Sequence, residues 1–170
     1  GGEFILLAAQ EGVGKTEFLR ALEYHVLKET PAGVNIGIIH LEETKGRAIK
    51  GLIGYELKSP VHLPDSMVNK EDMKAAYRVL TKGDNRVHYY SHFGSDDISV
   101  ILGMVQFLLG PCGCKFLFLD HISMVVSGID TDDERKSLDF ISTRLKMLAE
   151  SYNATVVCVS HVNDEGKTRG

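Results

Sequence analysis

Polar residues that suit phosphate chemistry directly follow apolar segments at several points in this sequence. A lysine and a threonine follow the first such segment, a pair of glutamates the next, and an aspartate and a histidine two later ones. Lysine neutralises phosphate oxygens, hydroxyl and carboxylate oxygens bind Mg²⁺, and a carboxylate can take a proton from attacking water. These residue types predict a site that binds and hydrolyses a nucleotide, and they are Lys15, Thr16, Glu42, Glu43, Asp120 and His161.

The first of these positions lies in a predicted phosphate-binding loop. An apolar strand leads into a glycine-bearing turn and then a helix, and Gly14-Lys15-Thr16 matches the end of the pattern G-x-x-x-x-G-K-S/T. In that pattern, backbone N–H groups and the positive end of the helix face the phosphates. Ala9 occupies the first glycine position, and an alanine there requires a negative φ angle. Gly12 supplies the backbone freedom that is lost at position 9. The predicted nucleotide-binding residues are Gln10, Glu11, Gly12, Val13, Gly14, Lys15 and Thr16.

Two adjacent carboxylates, Glu42 and Glu43, follow the predicted strand 34–41. In a parallel sheet whose first strand ends in a phosphate loop, the carboxyl end of another strand lies on the ligand side. One of the two can therefore hold and deprotonate the water that attacks a γ-phosphate. Alternatively, both residues simply begin the next helix, where acidic side chains are favoured. The residues alone leave these two interpretations equally open.

Asp120 and His161 end two later apolar segments. Asp120 follows the predicted strand 115–119, so its carboxylate can bind Mg²⁺ together with the Thr16 hydroxyl. His161 stands just past the predicted strand 154–160 on the same side of the sheet. There it can hydrogen-bond a γ-phosphate, or it can be a polar residue at a strand end. We therefore predict Thr16 and Asp120 as metal ligands and His161 as a candidate phosphate sensor.

The net charge of −4 argues against nucleic-acid binding by the domain as a whole. Any such contact must come from a local loop, or from several subunits that each present one loop. The polar segment 163–170 is the candidate, because Lys167 and Arg169 can meet a phosphate backbone there. A solvated surface loop explains the same composition equally well.

Length and composition fit a single domain over residues 1–170. No apolar run approaches the roughly 20 residues of a membrane span, and the start carries no signal-peptide pattern. The three cysteines form an odd number, and Cys158 lies within an apolar strand pattern. Reduced thiols in a cytosol-like compartment are therefore expected.

Predicted strands alternate with predicted helices along the chain. The first helix is expected to bury Leu19, Leu22 and Val26, which recur at helical spacing. Such alternation predicts an α/β fold with a mainly parallel sheet, right-handed crossovers and helices on both faces. No strand pattern follows residue 161, so the fold is expected to be incomplete at its C-terminal end.

Several short runs occur in a fixed order across nearly the whole chain. They are Leu41-Glu42-Glu43, Leu52-Ile53-Gly54, Leu119-Asp120-His121-Ile122-Ser123-Met124-Val125-Val126-Ser127, Asp133-Glu134-Arg135-Lys136 and Ser160-His161. In these runs the chain resembles the RecA-fold motor domain of the replicative ring helicases, a family of P-loop NTPases. The resemblance is strongest to the primase-helicases of short-tailed phages, and weaker to the mitochondrial helicase Twinkle and to DnaB-type helicases.

The resemblance implies a role for each candidate residue. Lys15 and Thr16 would bind the phosphates and Mg²⁺ of ATP, or of another NTP or dNTP. Asp120 would be the acidic residue of the metal site, and Glu42 rather than Glu43 would be the catalytic base.

The resemblance also implies partners. His161 would occupy the γ-phosphate sensor position, where DnaB-type members carry glutamine. The loop after it, with Asn163, Lys167 and Arg169, would face the channel of a ring, expected to be a hexamer, and contact single-stranded DNA. The stretch 121–130 would face the same channel. The resemblance further implies a primase domain or a primase partner. It also implies a place in the cytosol of a phage-infected bacterium or in an organelle.

Three features depart from the family pattern. Ala9 replaces a glycine at a position where the family is itself permissive. Asn163 stands where the most similar phage enzymes carry a basic residue. The segment that carries the family's trans-acting arginine finger lies beyond residue 170. Such an arginine contributes about 10³ to 10⁵ in rate, so these residues alone are expected to bind nucleotide better than they hydrolyse it.

Two other hypotheses keep the nucleotide site but not the unwinding of DNA. One is a RecA-like or KaiC-like ATPase in which ATP controls assembly, and it predicts filaments on DNA rather than closed rings. The other is a non-catalytic nucleotide-binding module, which predicts stabilisation by nucleotide without hydrolysis.

Overall fold

The computed structural model describes residues 2–9, 14–61, 63, 66–91, 97–122 and 131–161, and of residues 9, 91, 131–134 and 161 it describes the backbone only. Strands and helices alternate over most of this length, as the sequence predicts. In chain order they are β1 (Glu3–Ala9), α1 (Lys15–Glu29), β2 (Ile36–His40), α2 (Lys45–Leu57), α3 (Lys70–Thr81), β3 (Val87–Ser91), α4 (Ile98–Leu109), β4 (Phe116–Asp120), α5 (Thr131–Tyr152) and β5 (Thr155–His161).

The strands form one sheet in the order β1-β5-β4-β2-β3, and every neighbouring pair is parallel. The predicted parallel sheet is therefore confirmed. β1 and β2 are consecutive in the sequence, yet β5 and β4 lie between them. Because all strands run the same way, their carboxyl ends share one edge, which is where ligands bind in open parallel sheets.

Helices cover both faces of the sheet, as the alternation of elements predicts. Alternate residues of each central strand point to opposite sides. Leu117 and Leu119 of β4 pack with α4 and α5, whereas Phe118 between them packs with α1, α2 and α3. The central strands are thus apolar on both faces, as buried parallel strands must be.

The buried face of α1 differs from the predicted stripe. Leu19, Glu23 and Leu27 are the buried residues, at intervals of four, while Leu22 and Val26 are only partly buried. A glutamate therefore occupies the centre of an otherwise apolar face. A fully buried carboxylate is costly without a partner, which predicts a buried charge opposite it.

Arg86, just before β3, is buried and joins the ends of two helices. Its guanidinium donates hydrogen bonds to the carbonyl of Leu27 at 2.5 Å, of Pro31 at 2.8 Å and of Leu80 at 3.2 Å. These carbonyls lie at the carboxyl ends of α1 and α3, where the helix dipole favours a cation.

Among the described helices, none has the length and apolar character that crossing a membrane would require. The cysteines are free thiols, with Cys114 and Cys158 buried. Burial raises the pKa of the Cys114 thiol to about 12, so this thiol is protonated and packs as a small apolar side chain.

Candidate nucleotide-binding site

The start of α1 has the geometry expected of a phosphate loop entering a helix. Gly14 is the N-cap residue, with φ 84° and ψ 27°, a left-handed conformation that favours glycine. Its carbonyl accepts the first helical hydrogen bond from the Phe18 amide at 2.9 Å. Lys15 and Thr16 therefore lie in the first turn, where backbone N–H groups have no partner within the helix. Ala9 is the last residue of β1 and has strand conformation, which agrees with the negative φ expected there.

Of the predicted nucleotide-binding residues, Gln10, Glu11, Gly12 and Val13 lie outside the described part of the chain. The roles predicted for these four residues stay predictions.

Strand register places the other candidates along the same edge of the sheet. Ala9 is paired with His161, so the backbone of His161 lies beside the residue at which the predicted phosphate loop begins. Asp120 is paired with His40, two residues before Glu42. The carboxyl edge thus gathers the ends of β1, β5, β4 and β2, as the sequence reasoning expects.

Asp120 is a buried carboxylate at the end of β4. Its Oδ1 atom has no hydrogen-bond partner among the described residues. An oxygen of this kind fits a ligand to Mg²⁺, which prefers carboxylate oxygens and hydroxyls. The Thr16 hydroxyl in the first turn of α1 is the second oxygen that the sequence predicts for this metal.

Glu42 and Glu43 occupy opposite environments in the loop after β2. Helix α2 begins at Lys45 and is capped by the Thr44 side chain, which accepts a hydrogen bond from the Arg47 amide. The alternative that both glutamates begin this helix is therefore wrong. The Glu42 side chain is 56% exposed, whereas that of Glu43 is 10% exposed.

The exposed carboxylate of Glu42 meets a histidine from the neighbouring strand. His121 Nε2 lies 3.0 Å from Glu42 Oε1, and the imidazole is buried. His121 directly follows Asp120, so the ends of β2 and β4 place the carboxylate of Asp120, the imidazole of His121 and the carboxylate of Glu42 together. Of the stretch 121–130 that is expected to face a DNA channel, the described residues His121 and Ile122 are buried, and the expectation stays a prediction. Residues 123–130 lie outside the described part.

Glu43 turns inward and joins a network of charges that is partly buried at Arg20 and Glu43 and buried at His40 and Glu23. Arg20 Nη2 donates hydrogen bonds to its two carboxylate oxygens at 2.9 and 2.5 Å. His40 Nδ1 lies 3.6 Å from Glu43, and His40 Nε2 lies 2.9 Å from Glu23 Oε1. His40 is thus the buried charged partner that we expect opposite the Glu23 carboxylate of α1.

The network shifts the acidity of its members. Burial alone lowers the pKa of His40, but the hydrogen bond to Glu23 and the nearby carboxylate of Glu43 outweigh it and raise this pKa to about 9. Burial alone raises the pKa of Glu43, but His40 and Arg20 outweigh it and lower that pKa. Glu43 is therefore a paired carboxylate, and Glu42 is the one exposed to water.

Sequence reasoning missed Arg20, Glu23 and His40, and it did not place His121 beside Glu42. The only signal in the sequence was the spacing of Glu23, four residues from both Leu19 and Leu27. The candidate DNA-binding residues Asn163, Lys167 and Arg169 lie outside the described part, so their role stays a prediction.

Comparison with known proteins gives this arrangement a family. Residues 1–170 match the model of the DnaB-like helicase C-terminal domain. The chain is 28% identical to the DNA helicase/primase of Enterobacteria phage T3, over 98% of this chain and 30% of that protein. It is 22% identical to a probable plasmid replicative DNA helicase of Chlamydia psittaci, over 99% of this chain and 37% of that protein. The sequence thus spans about a third of the length of these relatives. With a five-stranded parallel sheet flanked by helices and a family match over its whole length, the chain belongs to the DnaB-like helicase C-terminal domain family.

Proposed function

We propose that this domain is the NTP-hydrolysing motor of a replicative DNA helicase. The observation that carries the proposal is the meeting of three features at one edge of the sheet. They are the glycine-capped start of α1, the buried carboxylate of Asp120 and the exposed carboxylate of Glu42. These are the parts that phosphoryl transfer to water requires.

In this proposal Lys15 neutralises charge that develops on the outer phosphates, while N–H groups of the first turn of α1 hold the phosphate oxygens. Glu42 orients the attacking water and accepts its proton, because its carboxylate is exposed and the neighbouring Glu43 is already paired. His161, whose backbone lies beside the phosphate loop, would sense the γ-phosphate.

Thr16 and Asp120 are the residues that would hold Mg²⁺ in this site. When bound, the ion supplies positive charge to the phosphate oxygens. The Oδ1 atom of Asp120, which has no hydrogen-bond partner in the described part of the chain, supports this assignment.

The partners follow from the family and from the relatives' names. A ring, expected to be hexameric, would carry the domain along single-stranded DNA, with the segment 163–170 as the proposed contact. The phage relative is a DNA helicase/primase, which supports a link to primase activity.

The test is NTP hydrolysis by the full-length protein with and without single-stranded DNA. We expect DNA to stimulate hydrolysis. Lys15→Ala should abolish nucleotide binding or hydrolysis, and Glu42→Gln should keep binding but lose turnover. Glu71→Gln is a control, because Glu71 forms an exposed ion pair with Lys74 on α3.

Full activity in Lys15→Ala would overturn the site. An equal loss of turnover in Glu43→Gln, with Glu42→Gln still active, would move the base to Glu43. Hydrolysis that ignores DNA would favour an assembly ATPase, and stabilisation by nucleotide without hydrolysis would favour a non-catalytic module.

A further inference from the structure

The loop after β2 is fixed on both sides of its exposed glutamate. Before Glu42, the Leu41 amide donates a hydrogen bond to the Asp120 carbonyl at 2.7 Å, and the Leu41 side chain is buried. After Glu42, Glu43 is bound by Arg20, and Thr44 caps α2. Glu42 is therefore an exposed side chain on a loop whose neighbouring residues are each bound to a different element.

We propose that Arg20, Glu43, His40 and Glu23 form a positioning network that fixes the loop 41–44 against α1 and thereby places Glu42. The inference rests on the proposed function, in which Glu42 activates water. Glu43 is then the anchor of the loop rather than a second catalytic carboxylate.

The network joins the two elements whose relative position matters most for hydrolysis. Arg20 and Glu23 belong to α1, whose first turn holds the predicted phosphate ligands, and they lie on that helix one turn apart. His40 ends β2, and Glu43 lies in the loop that carries Glu42. Successive Cα atoms are about 3.8 Å apart, so an anchor at Glu43 limits the movement of Glu42 relative to the phosphates.

Gly51 of α2 makes this network sterically possible. A Cβ atom built on Gly51 would lie 2.4 Å from Nε and 2.6 Å from Cδ of Arg20. The Arg20 side chain therefore crosses the bare backbone of α2 on its way to Glu43. A glycine inside a helix costs about 0.5 to 1 kcal/mol relative to alanine. The space that Arg20 needs is a reason for glycine at position 51 despite this cost.

The variant Gly51→Ala therefore tests the positioning of Glu42 separately from the stability of the fold. Alanine favours the helix, so folding should be retained, but the Arg20 side chain, which binds Glu43, must move to make room for the methyl group. Misplacing a catalytic group by about 1 Å can cost on the order of 10²-fold in rate. We expect a fall in kcat of about 10- to 100-fold with little change in nucleotide Kd or KM. Glu43→Gln should act in the same direction, since it removes the charge that Arg20 holds.

Glu56→Gln is the matched control. Glu56 of α2 also binds α1, accepting hydrogen bonds from Lys28 at 3.1 Å and from Tyr24 at 3.0 Å. Among the described residues, its hydrogen bonds join the same two helices and do not involve the loop 41–44, so Glu56→Gln should keep a kcat near that of the unmodified protein.

The experiment measures kcat, KM and nucleotide Kd for the full-length protein and these variants, with urea unfolding of each. A fall in kcat confined to Gly51→Ala and Glu43→Gln supports the network. An equal fall in Glu56→Gln, a fall that follows lost stability, or unchanged kcat in both network variants would overturn it. Loss of turnover in Glu42→Gln shows separately that the proposed function holds. If Glu42→Gln were fully active, the assignment of Glu42 as the base would fail, and the positioning network that rests on it would fail with it.

Discussion

The pair formed by His40 and Glu23 predicts that the protein loses stability between neutral and mildly alkaline pH. His40 is buried, with Nε2 2.9 Å from Glu23, and its pKa is raised from 6.5 to about 9. Because the folded state binds this proton more tightly than the unfolded state, protonated His40 stabilises the fold fully below pH 6.5. That contribution is lost as the pH rises from 6.5 through about 9.

The magnitude follows from the size of the shift. One pKa unit corresponds to about 1.36 kcal/mol, so a shift from 6.5 to about 9 sets an upper limit of roughly 3 kcal/mol. Burial raises the pKa of Glu23, so its ionisation also costs stability as the pH rises above 4.5, in the same direction as the loss at His40. The other charges that face the pair are Glu43, Arg20 and Asp120. We expect a loss of about 1 to 3 kcal/mol in the free energy of unfolding.

The assay is urea unfolding followed by circular dichroism, at about pH 6 and about pH 9. The unmodified protein should lose stability between these two values, and His40→Gln should lose much less while being less stable at the lower one. His25→Gln is the control, because His25 is an exposed histidine on α1, the helix that carries Glu23. An identical pH dependence in His40→Gln and the unmodified protein would refute the reasoning.

Three further predictions concern other parts of the structure. His121→Asn should lower kcat about ten-fold with little change in nucleotide Kd, because it removes the imidazole 3.0 Å from Glu42; steady-state kinetics and binding measurements check this. Gly14→Ala should cost about 1 to 2 kcal/mol and weaken nucleotide binding, because φ is 84° there; urea unfolding and titration with nucleotide check both effects. Arg86→Met should destabilise the fold by ~3 kcal/mol or more, because the buried carbonyls of Leu27 and Leu80 lose their donor, and a thermal shift would show it.

The secondary structure was predictable because its signals are local. Thr30-Pro31 ends α1, Asp97 caps α4 by accepting a hydrogen bond from the Ser99 amide, and Gly110 ends α4. Strand order was not predictable in this way. Nothing in the periodicity of β1 or β2 shows that β5 and β4 lie between them, because that order depends on crossovers that span the whole chain.

The candidate site was predictable only in part. Lys15, Thr16 and Asp120 lie at the ends of elements, so their residue types and positions in the sequence were enough to place them at one edge. The choice between Glu42 and Glu43 depended on the family resemblance, since two adjacent carboxylates look alike in sequence. The structure distinguishes them by their partners, and the partner of Glu43 is an arginine 23 residues away on another helix. A contact of that separation leaves no pattern in a single sequence.

The position of Arg86 has a mechanical consequence for α1. This helix has 15 residues and so is about 22 Å long, with the predicted phosphate ligands at one end and Arg86 bound to its last turn at the other. A helix of this length moves as a rigid body. A displacement of its first turn would therefore tilt the whole helix about the last turn, where Arg86 binds. Since Arg86 also binds the Leu80 carbonyl, the tilt would be passed to the end of α3. A change at the phosphate end of α1 would thus reach the carboxyl end of α3, which packs on the same face of the sheet.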